Sequence, residues 1–180
     1  MKRAVGVSNP IIIPAHHFGI ILRQFTIEDA PHIFALIDNN RDHFKQFGDT
    51  TSDKYPTQKS VVESILRPKN LNRLRFGIWD KQGQLLGSIN LTPDEDNHKQ
   101  GEIGYYLSPN HTGRGHMINS LQTLVTYAFT KLEYKKLYGK VHKDNIASQK
   151  VLIKVGFKET GEETDKKTKT RSIVFTLKKP

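Results

Sequence analysis

Ser108-Pro109-Asn110-His111-Thr112-Gly113-Arg114-Gly115 is the stretch of this 180-residue chain whose residue types point most directly to chemistry. Two glycines let backbone N–H groups approach an anion. The amphipathic helix that follows presents unpaired N–H donors and a partial positive charge at its start. Such a loop suits a pyrophosphate, and it also suits an ordinary turn. It lacks the Gly-Lys-Ser/Thr ending of a nucleotide P-loop and the third glycine of a dinucleotide fingerprint.

Other chemistries are excluded or thinly supported. The absence of cysteine removes a disulfide framework, a thiolate nucleophile and Cys-ligated metal. His111 and His116 flank the glycines, yet no H-E-x-x-H or carboxylate pattern accompanies them, so no metal is expected. No G-x-S-x-G elbow is present for a hydrolase serine. Lys plus Arg number 28 against 18 Asp plus Glu, a net charge of +10. That excess fits a polyanionic partner such as nucleic acid, a ribosome or a phosphate-rich cofactor, and equally a Lys-rich solvated surface. The lysines are scattered, with short clusters at Lys135-Lys136, Lys166-Lys167 and Lys178-Lys179. Met1-Lys2-Arg3 imitates a signal-peptide start, but Ser8, Asn9 and Pro10 break the run, and no stretch reaches the ~20 apolar residues of a membrane helix. The reading is a cytoplasmic protein with no membrane partner.

The elements that must position the glycine loop follow from periodicity. Residues 1–19 read as an irregular lead-in, and 20–180 as a single domain. Ile20–Phe25 is strand-like, and Thr26 with Asp29 caps a helix carrying Ala30, Ile33, Phe34 and Ile37. Asn39 to Pro56 is polar and turn-rich, a surface connection or a binding lid. Thr57 opens a helix with Val61, Val62, Ile65 and Leu66. Leu74–Trp79 and Gln84–Leu91 flank the turn Asp80-Lys81-Gln82-Gly83 as a hairpin. Gly101–Leu107 is a third strand, with Glu102, Gly104 and Tyr106 on one face and Ile103, Tyr105 and Leu107 on the other. The helix after the loop aligns Met117, Leu121, Leu124, Val125, Ala128 and Leu132. Lys136–His142 is a strand, and Asp144 or Asn145 caps a helix ending at Gly156. Phe157–Thr160 and Arg171–Leu177 close the chain as strands. The fold class is α/β (α+β), with a mixed sheet flanked by helices.

Three segments together carry a resemblance: Glu102-Ile103-Gly104-Tyr105-Tyr106-Leu107 before the glycine loop, the loop itself, and Asp144-Asn145-Ile146-Ala147-Ser148 opening a helix that ends in Val155-Gly156-Phe157. With Leu22-Arg23 and Glu28-Asp29-Ala30 near the start, the chain from Ile20 to Leu177 resembles the GNAT N-acetyltransferase superfamily. The branch it looks like is that of bacterial ribosomal-protein N-terminal alanine and serine acetyltransferases.

The resemblance implies a mostly antiparallel sheet with a splayed parallel strand pair, Gly101–Leu107 and Lys136–His142, and acetyl-CoA as co-substrate in the cleft between them. It implies cofactor contacts from Leu107, Thr112, Gly113, Arg114, Gly115, His116, Met117 and Asn145. The family pattern there is Gln/Arg-x-x-Gly-x-Gly/Ala; Thr112 replaces its first residue and Met117 its last, while Gly115 is kept. Glu102 is the implied general base, since an acceptor ammonium must lose a proton before attacking a thioester; otherwise it is a solvated strand glutamate. Many members place a Tyr four residues beyond Ser148, where this chain has Leu152, so Ser148 is the remaining general acid or a plain first-turn serine. Asn145 binds the pantetheine arm, caps the helix, or does both. Tyr105 and Tyr106 alternate faces, so at most one is expected on the cleft. The implied acceptor is a protein or peptide amine, such as the N-terminus of a ribosomal protein. The alternatives are a polyamine or aminoglycoside, and a non-catalytic basic module binding RNA or ribosomes. A monomer or a homodimer fits, with any nucleic-acid contact indirect.

Overall fold

Within the stretch read as strand-like, Ile21–Gln24 forms a strand, and the cap expected at Thr26 forms beside it. The Thr26 backbone N–H donates to Asp29 Oδ2 at 2.9 Å, and the Arg23 guanidinium donates to both Asp29 carboxylate oxygens at 3.1 and 2.7 Å. Asp29 is buried, so its charge needs those donors. Arg23 is held in turn over the Trp79 ring at 4.5 Å.

The computed structural model describes residues 9–15, 19–165 and 168–180. In chain order it gives β1 (Ile12–Pro14), β2 (Ile21–Gln24), α1 (Ala30–Asp38), α2 (Arg41–Phe44), α3 (Thr51–Lys54) and α4 (Gln58–Leu66). Then come β3 (Leu74–Trp79), β4 (Leu85–Pro93), β5 (Gln100–Leu107), α5 (His116–Thr130), β6 (Lys136–His142), α6 (Ile146–Val155), β7 (Lys158–Thr164) and β8 (Arg171–Lys178). The strands form one eight-stranded sheet in the order β1-β2-β3-β4-β5-β6-β8-β7, antiparallel everywhere except at β5-β6.

Both faces of the sheet are covered. On one, α5 and α6 bury Leu121, Leu124, Ala128 and Leu152 against Phe76, Ile89, Leu91, Leu137 and Phe175. On the other, α1 and α4 bury Ile33, Ile37 and Val61 against Phe25, Trp79 and Leu85. Each fully buried aliphatic side chain in these layers contributes about 1.5–3 kcal/mol. The mixed-sheet expectation, including one parallel pair, holds.

Several boundaries differ from the sequence reading. Within the stretch read as an irregular lead-in, Ile12–Pro14 pairs with Ile21–Arg23 as an edge strand; Pro14 is tolerated because an edge residue can go without a ladder donor. The segment 39–56 folds into α2 and α3, and Phe44 is buried in the second core. Helix α5 stops at Thr130, before Leu132, and β7 extends to Thr164. The signal-like run at Met1–Ser8 and the Lys166-Lys167 pair lie outside the described residues. Among the described residues no helix is long and apolar enough to cross a membrane.

Candidate active site

The parallel strands β5 and β6 are paired only at Gln100↔Lys136, Gly101↔Leu137 and Glu102↔Tyr138. Among the described residues no further rung joins them, and the gap opens into a cleft of about 1080 Å³. Its walls come from the ends of both strands, the Thr112–Ile118 junction and the first turns of α6. The segment after α1 closes it on the far side with His43, Phe47 and Asp49.

The glycine loop sits at one mouth of this cleft. Gly115 is the N-cap of α5 with φ +80°, and Gly113 has φ +74°. These left-handed conformations suit glycine and disfavour any residue with a Cβ. A Cβ built on Gly113 meets nothing within 4 Å, so the backbone there is open to a ligand. The start of a 15-residue helix with no side-chain cap at Gly115 turns backbone N–H groups and a partial positive charge towards the loop, which suits an anion. The fit to a pyrophosphate is therefore geometric as well as electrostatic.

The neighbours of the glycines divide. Leu107, Thr112, His116 and Met117 line the cleft. The Thr112 hydroxyl is turned inward, donating to the Pro109 carbonyl at 2.8 Å, and so stiffens the loop. Met117 is buried in the core, which explains how a long side chain is accommodated at that position. Burial, together with the charges of His111 and Arg114, holds the His116 imidazole below its ordinary pKa. Arg114 does not line the main cleft. It lines a second, smaller depression with Lys81, His111 and His116.

At the opposite wall, Asn145 Oδ1 accepts the Ser148 backbone N–H at 3.1 Å, the side-chain cap of α6. Both residues line the cleft. Leu152 is buried one turn further on, packed beside Gly139. The Ser148 hydroxyl instead meets Tyr105, whose Oη lies 2.9 Å from Ser148 Oγ and 3.2 Å from the Ser148 carbonyl oxygen. Burial pushes the Tyr105 phenol up to about 12. It stays protonated throughout the physiological range.

Glu102 lies at the closed end of the strand pair, half-buried, two residues before cleft-lining Gly104 and not itself on the cleft wall. Burial raises its carboxyl above the ordinary value, and the Lys140 ammonium pulls in the other direction. Lys140 also pairs with Glu163 at 2.8 Å, and the Tyr138 hydroxyl donates to Asp94 Oδ2 at 3.1 Å. Glu102, Tyr138 and Lys140 thus share the sheet face opposite Ser148.

Two features escaped the sequence reading. Both tyrosines line the cleft, not at most one, because the splay opens through the sheet and exposes both faces of β5. Tyr106 packs on Phe44, ring centroids 5.1 Å apart, on the face of α1 and α4. The wall formed by residues 43–49 was also missed, though the aromatic pair Phe44 and Phe47 in a polar stretch was its signal. Phe47 has φ +56° and sets its ring 5.8 Å from that of His142; such a backbone costs roughly 1–3 kcal/mol. Arg41 ties this wall down, bonding Asp38 at 2.7 Å, the Ser52 carbonyl at 2.9 Å and the Tyr55 carbonyl at 3.2 Å. Among the described residues no group of His, Asp and Glu is placed to hold a metal.

The acetyltransferase (GNAT) domain family matches residues 20–158. The chain belongs to the GNAT acetyltransferase family. It is 31% identical over 148 residues to a probable N-acetyltransferase, YjcK, of Bacillus subtilis, covering 79% of this chain and 82% of that protein. It is 23% identical over 150 residues to the spermidine N(1)-acetyltransferase of Escherichia coli, covering 83% and 78%. The solved structure of RimL, the ribosomal L7/L12 α-N-protein acetyltransferase, in complex with coenzyme A shares the fold. Its TM-score is 0.82 at 21% identity, covering 93% of this chain and 98% of that one. As a GNAT member this protein is an acetyl-CoA-dependent N-acetyltransferase.

Proposed function

We propose that this GNAT enzyme acetylates the N-terminal α-amino group of a protein, a ribosomal protein being the leading class. The observation that carries the reading is the cleft that opens between β5 and β6, with the left-handed glycines and the start of α5 at its mouth and Glu102 at the last rung before the strands part. The likeness in fold to the ribosomal L7/L12 enzyme supports a protein acceptor. A net charge of +10 argues against drawing in a polycationic amine.

In this reading the Gly113–Gly115 backbone and the start of α5 hold the pyrophosphate of acetyl-CoA, and the thioester supplies the activated acetyl group. Asn145 orders the turn that brings Ser148 to the cleft. Glu102, with its raised pKa, takes the ammonium proton directly or through water, a contribution on the order of 10²–10⁴-fold. Holding amine and thioester together supplies more, roughly 7–11 kcal/mol in favourable cases. Ser148 lies on the opposite side of the gap, suited to hydrogen-bond the departing sulfur.

The spermidine acetyltransferase relative favours a second reading, a small polyamine acceptor. The non-catalytic RNA-binding alternative falls away with the family assignment. Measuring free thiol released from acetyl-CoA with a panel of peptides, spermidine and an aminoglycoside separates the two. The proposal expects turnover with peptides bearing a free N-terminus; turnover with spermidine alone overturns it.

A further inference from the structure

We propose that Tyr105 is a positioning residue that aims the Ser148 hydroxyl proton at the departing sulfur. The inference rests on the reading of Ser148 as the group that meets the leaving thiolate.

Two hydrogens are shared among three oxygens here: Tyr105 Oη, Ser148 Oγ and the Ser148 carbonyl oxygen. If Tyr105 donates to the carbonyl at 3.2 Å, Ser148 donates to Tyr105 at 2.9 Å and its proton is committed to that bond. If Tyr105 donates to Ser148 Oγ, the serine proton is released to point into the cleft. A hydroxyl has one donor and two acceptor sites, so Ser148 can accept from Tyr105 and from a water while it donates to sulfur. A chain of this kind strengthens each of its members.

The balance is complete with water as proton carrier. The amine nitrogen forms a bond to the carbonyl carbon, the carbon–sulfur bond breaks, and its electron pair goes to sulfur. Nitrogen gives one proton to Glu102 before it attacks and a second to water afterwards, which makes good the proton that water passes on to Ser148. Sulfur gains the Ser148 proton as Ser148 takes one from water. Tyr105 gives up no proton, which agrees with a phenol held protonated to about 12. Tyr105 therefore reaches, from β5, the hydroxyl that a tyrosine at position 152 would otherwise replace.

The test is a double-mutant cycle of Tyr105→Phe and Ser148→Ala, read by steady-state rates, coenzyme A calorimetry and thermal melting. Ser148→Ala should lower kcat. Tyr105→Phe should lower kcat about 3- to 10-fold, the range one hydrogen bond carries, with KM for acetyl-CoA and coenzyme A affinity within about twofold of wild type. In the Ser148→Ala background Tyr105→Phe should cost less than about twofold more. A normal kcat in Ser148→Ala overturns the serine reading and this inference with it. A reduced kcat in Ser148→Ala with a normal one in Tyr105→Phe overturns the inference alone, as does an undiminished Tyr105→Phe effect in the Ser148→Ala background. Loss of coenzyme A affinity in Tyr105→Phe matching its loss of rate marks a packing role and also overturns it.

Discussion

Glu102 and Tyr138 face each other at the final rung that joins β5 to β6. One residue further along, the strands part and the cleft begins. The carboxylate therefore sits where the sheet closes, screened enough to raise its pKa and two residues from Gly104, which borders the gap. This placement makes Glu102 a test of chemistry that is separable from cofactor binding.

Glu102→Gln should lower the rate while acetyl-CoA affinity, measured by calorimetry, stays within about twofold. Raising pH should recover much of the loss by supplying amine already deprotonated; a pH–rate profile superimposable on wild type contradicts the base assignment. Stability provides an independent check. The folded pKa of Glu102 lies above its ordinary value of 4.5, so the fold binds its proton more tightly than the unfolded chain does. Stability from this group is present below pH 4.5 and is lost as pH rises through the folded pKa. Melting curves should accordingly show Glu102→Gln gaining more, relative to wild type, at pH 7 than at pH 4.

Gly115→Glu should weaken acetyl-CoA binding at least about tenfold, because it sets a negative charge at the start of α5 where the N–H groups converge. Gly83→Ala, at an equally left-handed glycine in the turn between β3 and β4 and away from the cleft, is the control. Its Cβ meets nothing, so only the left-handed backbone, at roughly 1–2 kcal/mol, is disturbed. Calorimetry on both folded variants decides. Unchanged affinity in Gly115→Glu removes the pyrophosphate assignment.

Asn145 separates capping from ligand binding. Asn145→Ala should cost about 1 kcal/mol of stability, whereas Asn145→Asp keeps an acceptor for the Ser148 N–H and should melt close to wild type. If the amide NH2 also holds the pantetheine arm, Asn145→Asp should weaken coenzyme A binding despite that intact cap. Normal affinity in Asn145→Asp confines the residue to capping.

Much of this site was legible because its signals are local. The Thr26–Asp29 box, the glycine loop and the Asn145 cap each lie within a few residues, where backbone needs dictate residue type. The Tyr105–Ser148 contact spans 43 positions, and nothing in either neighbourhood announces the other. Strand β1 has three residues, including a proline, and exists because β2 offers an open edge. The wall around Phe47 is polar at most positions, so its order comes from Arg41 reaching Asp38 and the carbonyls of Ser52, Tyr55 and Pro56, a tertiary arrangement without a periodic trace.

The central claim is acetyl transfer to a protein α-amine, and the most direct test locates the acetyl group. The enzyme is given acetyl-CoA with an equimolar mixture of spermidine and a peptide that begins with a free alanine or serine and carries one internal lysine. Fragmentation mass spectrometry then reads the position of the added acetyl. The account predicts acetylation of the peptide N-terminus ahead of both lysine and spermidine. Acetyl on spermidine while the peptide N-terminus stays free contradicts it.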